Sequence, residues 1–331
     1  MKIKTINALM KYLRNNHNIN IGNSKDKRNL INIGYYHGYK GYRFINHPNN
    51  RIDIKDFCEI VSIVDFDSKL KSLLYSQIMQ IETISKNLVL QILVEEYSTD
   101  EFNEIYEKGI TDYRYCNSKN YKEKMKQRLA LQNNIYTSLS RGYTNNNKIV
   151  NHFYSKDRPV PIWGIFEIIT LGTFADLIKC LEPNTRLKIN NAMKINIAYD
   201  TNGRFPEKII YLIKALRNAI AHNDVVFDVR FKDGNIDSTL CKYIENEIGC
   251  ENVLFYTITD YILLISTLLK KYCINKVEIN KFINDYEKII EDFRSEIPIN
   301  IYSQIIHTDT KLKISALRNY VKNDHNYNKH N

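Results

Sequence analysis

One segment, "KALRNAIAHNDVVFD" (214–228), carries side chains whose types and spacing chemistry can use. Arg217 holds a permanent charge, and His222, five positions later, is of the residue type that exchanges a proton near neutral pH. With Asn218 they could form a catalytic group. A blander reading fits the same residues, because helices often close on basic residues and asparagine, which suit the negative end of the helix dipole. Helix geometry separates the two faces. At about 100° per residue, Ile209, Leu212, Ile213, Leu216, Ala219 and Ile220 form one apolar stripe, and Tyr211, Lys214, Arg217, Asn218 and His222 lie on the opposite half. Asn218 and His222 are an i,i+4 pair on one face. Arg217 stands about 140° from His222, so its long side chain must swing, or the helix must loosen near Ala221, for both to reach one ligand.

The elements that must position this strip read as helices. Only 11 glycines and 6 prolines occur in 331 residues, which argues for long helices and few tight turns. The spacing predicts helices over 5–19, over "SKDKRNLINIGYY" with Ser24 as N-cap, and over Ile54 to about Val94, the last with Phe66, Leu70, Leu73, Leu74, Ile78, Ile81, Ile84, Leu88 and Ile92 on one stripe. Further helices are predicted over 122–140, from Trp163 to Leu181, over 185–200, over 205–223 with Pro206 in the first turn, over 253–272 and over 281–297. "GYYHGYKGYRFI" (34–45) reads as a tight turn with a short strand or hairpin. Residues 98–118 and 141–149 read as irregular, 226–237 as a loop with a short β excursion, and the last 25 residues as a frayed polar tail. The expected class is all-α, laid out as a basic helical region (1–50), a helical domain (51–300) and a tail (301–331).

The net charge of +10 suggests a polyanion partner, most often nucleic acid. Much of it sits in residues 1–43, where nine Lys/Arg face one acid, Asp26. This arm is either a solvated surface or a nucleic-acid contact. The six cysteines are scattered, with no C-x-x-C pair and no histidine at metal-ligand spacing, so no metal or cofactor is expected and the cysteines read as small core residues. No apolar leader and no 18-residue apolar run is visible, which predicts a cytoplasmic chain with no membrane segment.

"LRNAIAHN" resembles the R-x(4–6)-H signature of the HEPN-superfamily ribonucleases, which carries a polar residue directly after the arginine. Three upstream blocks, "LINIGYYHGYKGYRF", "FDSKLKSLLYSQIMQIETISKNL" and "PIWGIFEIITLGTFADL", together with "LRNAIAHND", resemble the Abi-like family of abortive-infection proteins (the AbiD/AbiF type) in that family's order, over about residues 5–230. The stretch 98–160 and the chain beyond Tyr272 depart from the family pattern.

The resemblance implies an HEPN-like helical bundle and metal-independent RNA cleavage, in which a ribose 2′-hydroxyl attacks the adjacent phosphate. It implies that His222 moves a proton, Arg217 holds the phosphate, and Asn218 orients His222 or binds the phosphate. Two such motifs meet across a two-fold interface in that superfamily, which implies a homodimer. The implied role is an antiphage toxin, and its RNA contacts are expected at Lys214, Lys27, Arg28, Lys40, Arg43 and Tyr39, with a structured inhibitory or guide RNA as a further partner. The alternatives are a catalytically silent RNA-binding module on the same scaffold and a helical DNA-binding regulator using residues 5–45. A second match, Arg318, Asn319 and His325 in "ALRNYVKNDH", reads as chance in a polar tail. Glu82 and Lys86 read as a surface ion pair, and Trp163 as core or interface packing. Tyr35, Tyr36, Tyr39 and Tyr42 with His37 read equally as an RNA-stacking surface or as a local aromatic core.

Overall fold

The computed structural model describes residues 5–232 and 234–323. Among these the chain is all-α: fifteen α-helices, one π-helical turn, one 3₁₀ turn and no strand. In order they are α1 (Ile6–His17), α2 (Ser24–Ile33), the π-turn (Gly34–Lys40), α3 (Phe57–Tyr97), α4 (Phe102–Lys108), the 3₁₀ turn (Asp112–Tyr115), α5 (Ser118–Thr144), α6 (Lys148–Tyr154), α7 (Ile162–Ile168) and α8 (Leu171–Cys180). There follow α9 (Pro183–Ala192), α10 (Phe205–Ala221), α11 (Ser238–Ile248), α12 (Ile258–Lys271), α13 (Lys276–Glu296), α14 (Ile299–Ile305) and α15 (Thr310–Lys322).

The chain folds into two compact units. One joins the chain up to Gln77 with the chain from Leu216 onward, and the other runs from Ile78 to Ala215. The first unit is organised around α12, which is buried on nearly every side: most of its residues are apolar, and its buried Asp260 and Lys271 are paired with Lys313 and Glu247. Helices α11, α13 and α15 pack on it or on one another, and α1, α2 and the π-turn form a second cluster. In the second unit α5 backs α6, α7, α8 and the 3₁₀ turn.

Several sequence expectations need correction. The segment expected as a tight turn with a short strand or hairpin is the π-turn, and an isolated antiparallel bridge, Phe44 with Arg51, follows it. Its tyrosines recur at helical rather than alternating spacing, so Tyr35 stacks on Tyr39 at 5.7 Å between ring centres. The turn is tight: a methyl group at Gly38 would lie 2.9 Å from the Ile33 carbonyl oxygen, so only glycine fits without a shift. The α2 cap is Asn23, not Ser24, with Asp26 closing a capping box. Residues 98–118 contain α4 and the 3₁₀ turn, and of the loop expected over 141–149 α5 takes the start, to Thr144, and α6 the end, from Lys148. The helix expected from Trp163 to Leu181 breaks at Ile169, where Thr170 caps α8. Residues 226–232 and 234–237 hold no strand.

Within the last 25 residues, expected as a frayed tail, helix α15 runs from Thr310 to Lys322. Helix α15 buries Ile314, Leu317 and Val321 at helical spacing and also buries Lys313, which pairs with Asp260 at 2.8 Å and Asp309 at 3.0 Å. The Glu82–Lys86 ion pair forms at 2.8 Å but is mostly covered, with side chains only 12% and 15% exposed. Trp163 is exposed and meets Phe153 edge to face at 5.6 Å, so it is not core. Of the cysteines, Cys180 and Cys241 are buried as expected, but Cys58 and Cys273 are exposed.

A buried ionic cluster centres the second unit. Asp112 accepts from Lys124 at 2.6 Å, Arg186 at 2.7 Å and Arg204 at 2.8 Å, and Arg204 also pairs with Glu207. Burial alone would raise the Asp112 carboxyl, but hydrogen bonds from Lys124 and Arg204 and the charge of Arg186 overcome it and hold it below its ordinary value. A carboxylate depressed in the folded state adds stability above its unfolded pKa and loses it as pH falls through the folded value. Glu207 opposes this in part, because burial raises its carboxyl more than Arg204 lowers it. The expected result is that Asp112→Asn costs stability at neutral pH and that the difference from wild type shrinks below the ordinary carboxylate range. Urea unfolding at several pH values checks this; a pH-independent difference would contradict it.

Candidate active site

Helix α10 starts where Asp200 accepts from the backbone N–H groups of Arg204 and Phe205, with Pro206 in the first turn as expected. Its apolar stripe is buried at Ile209, Leu212, Ile213, Leu216 and Ala219. The helix ends in a Schellman motif: the N–H of Asp224 bonds the Ala219 carbonyl at 2.8 Å and that of Asn223 bonds Ile220 at 3.1 Å. Asn223 adopts the left-handed conformation (φ 57°) that this ending requires and that asparagine tolerates. His222 is the capping residue between helix and loop, and its side chain is exposed.

The polar strip is built as the spacing predicts. Arg217 and Asn218 are half-buried, and Arg217 Nη1 reaches Asn218 Oδ1 at 3.5 Å. Arg217 Nε is buried without a hydrogen-bond partner, and among the described residues Arg217 makes no ion pair. A guanidinium covered on one edge and unpaired is primed for an anion, since leaving such donors unmatched costs free energy.

What holds the end of α10 was not found from sequence. Asp67, on α3, is fully buried. Its Oδ1 accepts from the backbone N–H groups of Val226 at 2.9 Å and Phe227 at 2.7 Å, and its Oδ2 accepts from the Tyr42 hydroxyl at 2.7 Å. Lys71, one helical turn along, pairs with Asp67 at 2.9 Å and donates to Asn223 Oδ1 at 2.8 Å. Burial and the Asp67 carboxylate together push the Tyr42 hydroxyl far above its ordinary pKa, so it stays a donor. A sequence signal existed for Asp67. On the α3 wheel it falls between Leu74 and Ile78, inside the apolar stripe, and a carboxylate there must find partners.

The network also reaches His37 in the π-turn. Asn223 Nδ2 lies 3.0 Å from His37 Nε2. Lys71 has only protons to give, so Asn223 must turn its oxygen to Lys71 and its amide N–H to His37. In this arrangement His37 Nε2 accepts the bond. The same loop is clamped a second time. Arg230 pairs with Asp228 and donates to the carbonyls of Gly41 and Phe44 at 2.7 Å each, while Asp228 accepts from the Asn46 N–H at 2.6 Å.

The other expected contact residues are placed as follows. Lys27 is half-buried and Arg28 exposed on α2. Lys40 lies over the exposed Tyr36 ring at 4.6 Å, and Arg43 over the Tyr39 ring at 5.7 Å. Tyr39 and Tyr42 are buried and Tyr35 is half-buried, so these tyrosines pack as an aromatic core, with the Tyr36 and His37 rings exposed. Lys214, in the second unit, lies along Gly172 and over the Tyr211 ring at 5.9 Å. In the second match, Arg318 is taken up by Glu287 and by Asn284 at 2.6 Å, and His325 lies outside the described residues. No three His, Cys, Asp or Glu among the described residues converge as a metal site requires, and no described helix is long and apolar enough to cross a membrane.

The segment that carries Asp67, the π-turn and the α10 strip coincides with a family match. Residues 28–228 fit the model of the Abi-like proteins, well over half of the chain. The chain belongs to the Abi-like family. All four blocks quoted above fall inside the match, which closes at Asp228, the carboxylate that clamps Arg230. Abi-like membership suggests a role in abortive infection, a form of defence. No curated protein and no solved structure matches the chain.

Proposed function

We propose that this Abi-like protein is a metal-independent endoribonuclease of the HEPN type, acting as an abortive-infection toxin. The observation that supports it best is the unpaired, half-buried Arg217 on the same helical strip as the exposed His222. Arg217 would bind the scissile phosphate through its fork and offset the charge that builds up as the 2′-hydroxyl attacks. His222, free to meet solvent and substrate, would take or give the proton, and Asn218 would bridge the two. The bond formed is 2′-oxygen to phosphorus, and the bond broken is phosphorus to the 5′-oxygen of the next nucleotide. The products are a 2′,3′-cyclic phosphate and a 5′-hydroxyl end.

In-line transfer benefits from both an acid and a base, and each chain carries one complete R-N-x-x-x-H motif. We therefore place the active form as a homodimer with the two motifs facing. The engagement of Arg318 by Glu287 and Asn284 favours this over an intrachain second motif. The test is the chemistry of the ends. Incubation with RNA in the presence of EDTA should yield cyclic phosphate and 5′-hydroxyl products, and RNA with a 2′-deoxyribose at the cleaved position should be inert. Cleavage that needs a divalent cation, or that proceeds without the 2′-hydroxyl, would refute the mechanism.

A further inference from the structure

A second basic site lies in the first unit, among residues that the proposed reaction does not use. A cavity of about 200 Å³ opens between the end of α1, the π-turn and the bridge that follows it. Its polar lining is Asn16, His17, Asn18, Tyr39, Arg43 and Arg51, and no acidic residue borders it. The Phe44–Arg51 bridge and the bond from the Ile52 N–H to the Arg43 carbonyl at 3.1 Å bring the two arginines to the same end of the loop. The His17 ring tilts over Tyr39 at 5.2 Å and meets Tyr12 edge to face at 5.1 Å, which holds it in place.

Arg43 hydrogen-bonds the Tyr39 hydroxyl, but neither arginine is neutralised by an acid among the described residues. Arg43 Nε is buried with no hydrogen-bond partner, and among the described residues neither Arg43 nor Arg51 makes an ion pair. Both act on the Tyr39 hydroxyl: burial raises its pKa, and Arg43 and Arg51 pull against that rise. Two guanidiniums beside a small polar cavity whose lining holds no acidic residue call for an anion of more than one charge. A backbone phosphodiester carries one negative charge. A phosphate monoester carries about 1.5 to 2 at pH 7 and offers three acceptor oxygens. The volume is below the roughly 300 Å³ at which pockets for whole drug-sized ligands begin, which suits a single phosphate with part of its sugar.

We propose that the cavity lined by His17, Tyr39, Arg43 and Arg51 is a seat for a terminal phosphate monoester of a nucleotide. The monoester belongs either to the 5′ end of an RNA strand or to a free nucleotide. This site recognises an end, whereas the α10 strip would act on an internal linkage. The choice of RNA as carrier rests on the RNA-partner reading above, but the phosphate seat does not.

Binding of 2′-O-methyl RNA, which cannot be cleaved by 2′-hydroxyl attack, separates this from nuclease activity. An oligonucleotide with a 5′-phosphate should bind about tenfold or more tightly than the same sequence with a 5′-hydroxyl, the size of one or two charge-assisted hydrogen bonds. Arg51→Gln, at an exposed position that should not disturb folding, and Arg43→Gln should each remove most of that difference. Competition by adenosine 5′-monophosphate at the concentration of the RNA would assign the seat to free nucleotides, and competition only by 5′-phosphorylated RNA would assign it to strand ends. Both results support the seat. Equal binding of the two RNA ends together with no binding of adenosine 5′-monophosphate would overturn it, as would full discrimination retained in Arg51→Gln and Arg43→Gln.

Discussion

Alanine at both Arg217 and His222 is expected to reduce RNA cleavage by about 10⁴-fold or more, with the helix content and unfolding midpoint near those of wild type. A positioned acid or base supplies about 10²–10⁴ of rate, and a preorganised cation at the developing phosphorane charge about 10²–10³. The two act on one transition state, so the single variants should each lose much of what the double variant loses, and the effects should not multiply. Stability should change by less than about 1 kcal/mol, because His222 is exposed and Arg217 joins no ion pair among the described residues. Arg217→Lys should recover part of the phosphate binding but little of the rate, since an ammonium lacks the guanidinium fork. The measurement is the initial rate on a labelled RNA. Cleavage by the double variant within tenfold of wild type would refute the assignment of the site. RNA binding by wild type with no cleavage under any condition would favour the silent RNA-binding scaffold instead.

Asp67→Ala should be the most damaging single change to stability, at about 3–5 kcal/mol. The carboxylate is fully buried and matches four groups at once: two backbone N–H groups, the Tyr42 hydroxyl and the Lys71 ammonium. Its loss leaves a nearly buried cation without its counter-ion and two N–H groups without acceptors. Asp67→Asn keeps an oxygen for the backbone but loses the charge, so it should fall between. Adding Lys71→Met to Asp67→Ala should recover part of the loss, because replacing both members of a buried pair is milder than removing one. Urea unfolding gives the numbers, and a loss under about 1 kcal/mol for Asp67→Ala would show that the network does not hold the loop. Cleavage should also fall in variants that still fold, since Asp67 and Lys71 fasten the residues directly after His222.

The helix that carries the candidate site is legible in the sequence where the signal is local. The α10 stripe, its polar opposite face and the first-turn proline depend only on spacing along one helix, and each is found as expected. Reading failed where burial had to be known first. In α3 the charge of Asp67 hides its role beside Phe66 and Leu70, although its position on the wheel lies within the buried stripe. In the tyrosine-rich segment, alternation and helical spacing look alike over so few residues; the sequence reads as a turn with a short strand or hairpin, and packing decides for the π-turn. The tail reads as frayed because its outer face is polar, yet Ile314, Leu317 and Val321 bury one side of α15.

By itself the sequence determined the all-α class, the face on which Arg217, Asn218 and His222 stand, and the blocks by which the Abi-like family is recognised. These rest on residue type and on the 3.6-residue repeat, which any short window contains. Only the tertiary structure decided what secures that face. Asp67 meets Val226 across 159 positions, Lys71 meets Asn223 across 152, and His37 meets Asn223 across 186. Such meetings follow from how buried helices pack and from the need of each buried polar group for a partner, and neither is written in the spacing of any one segment.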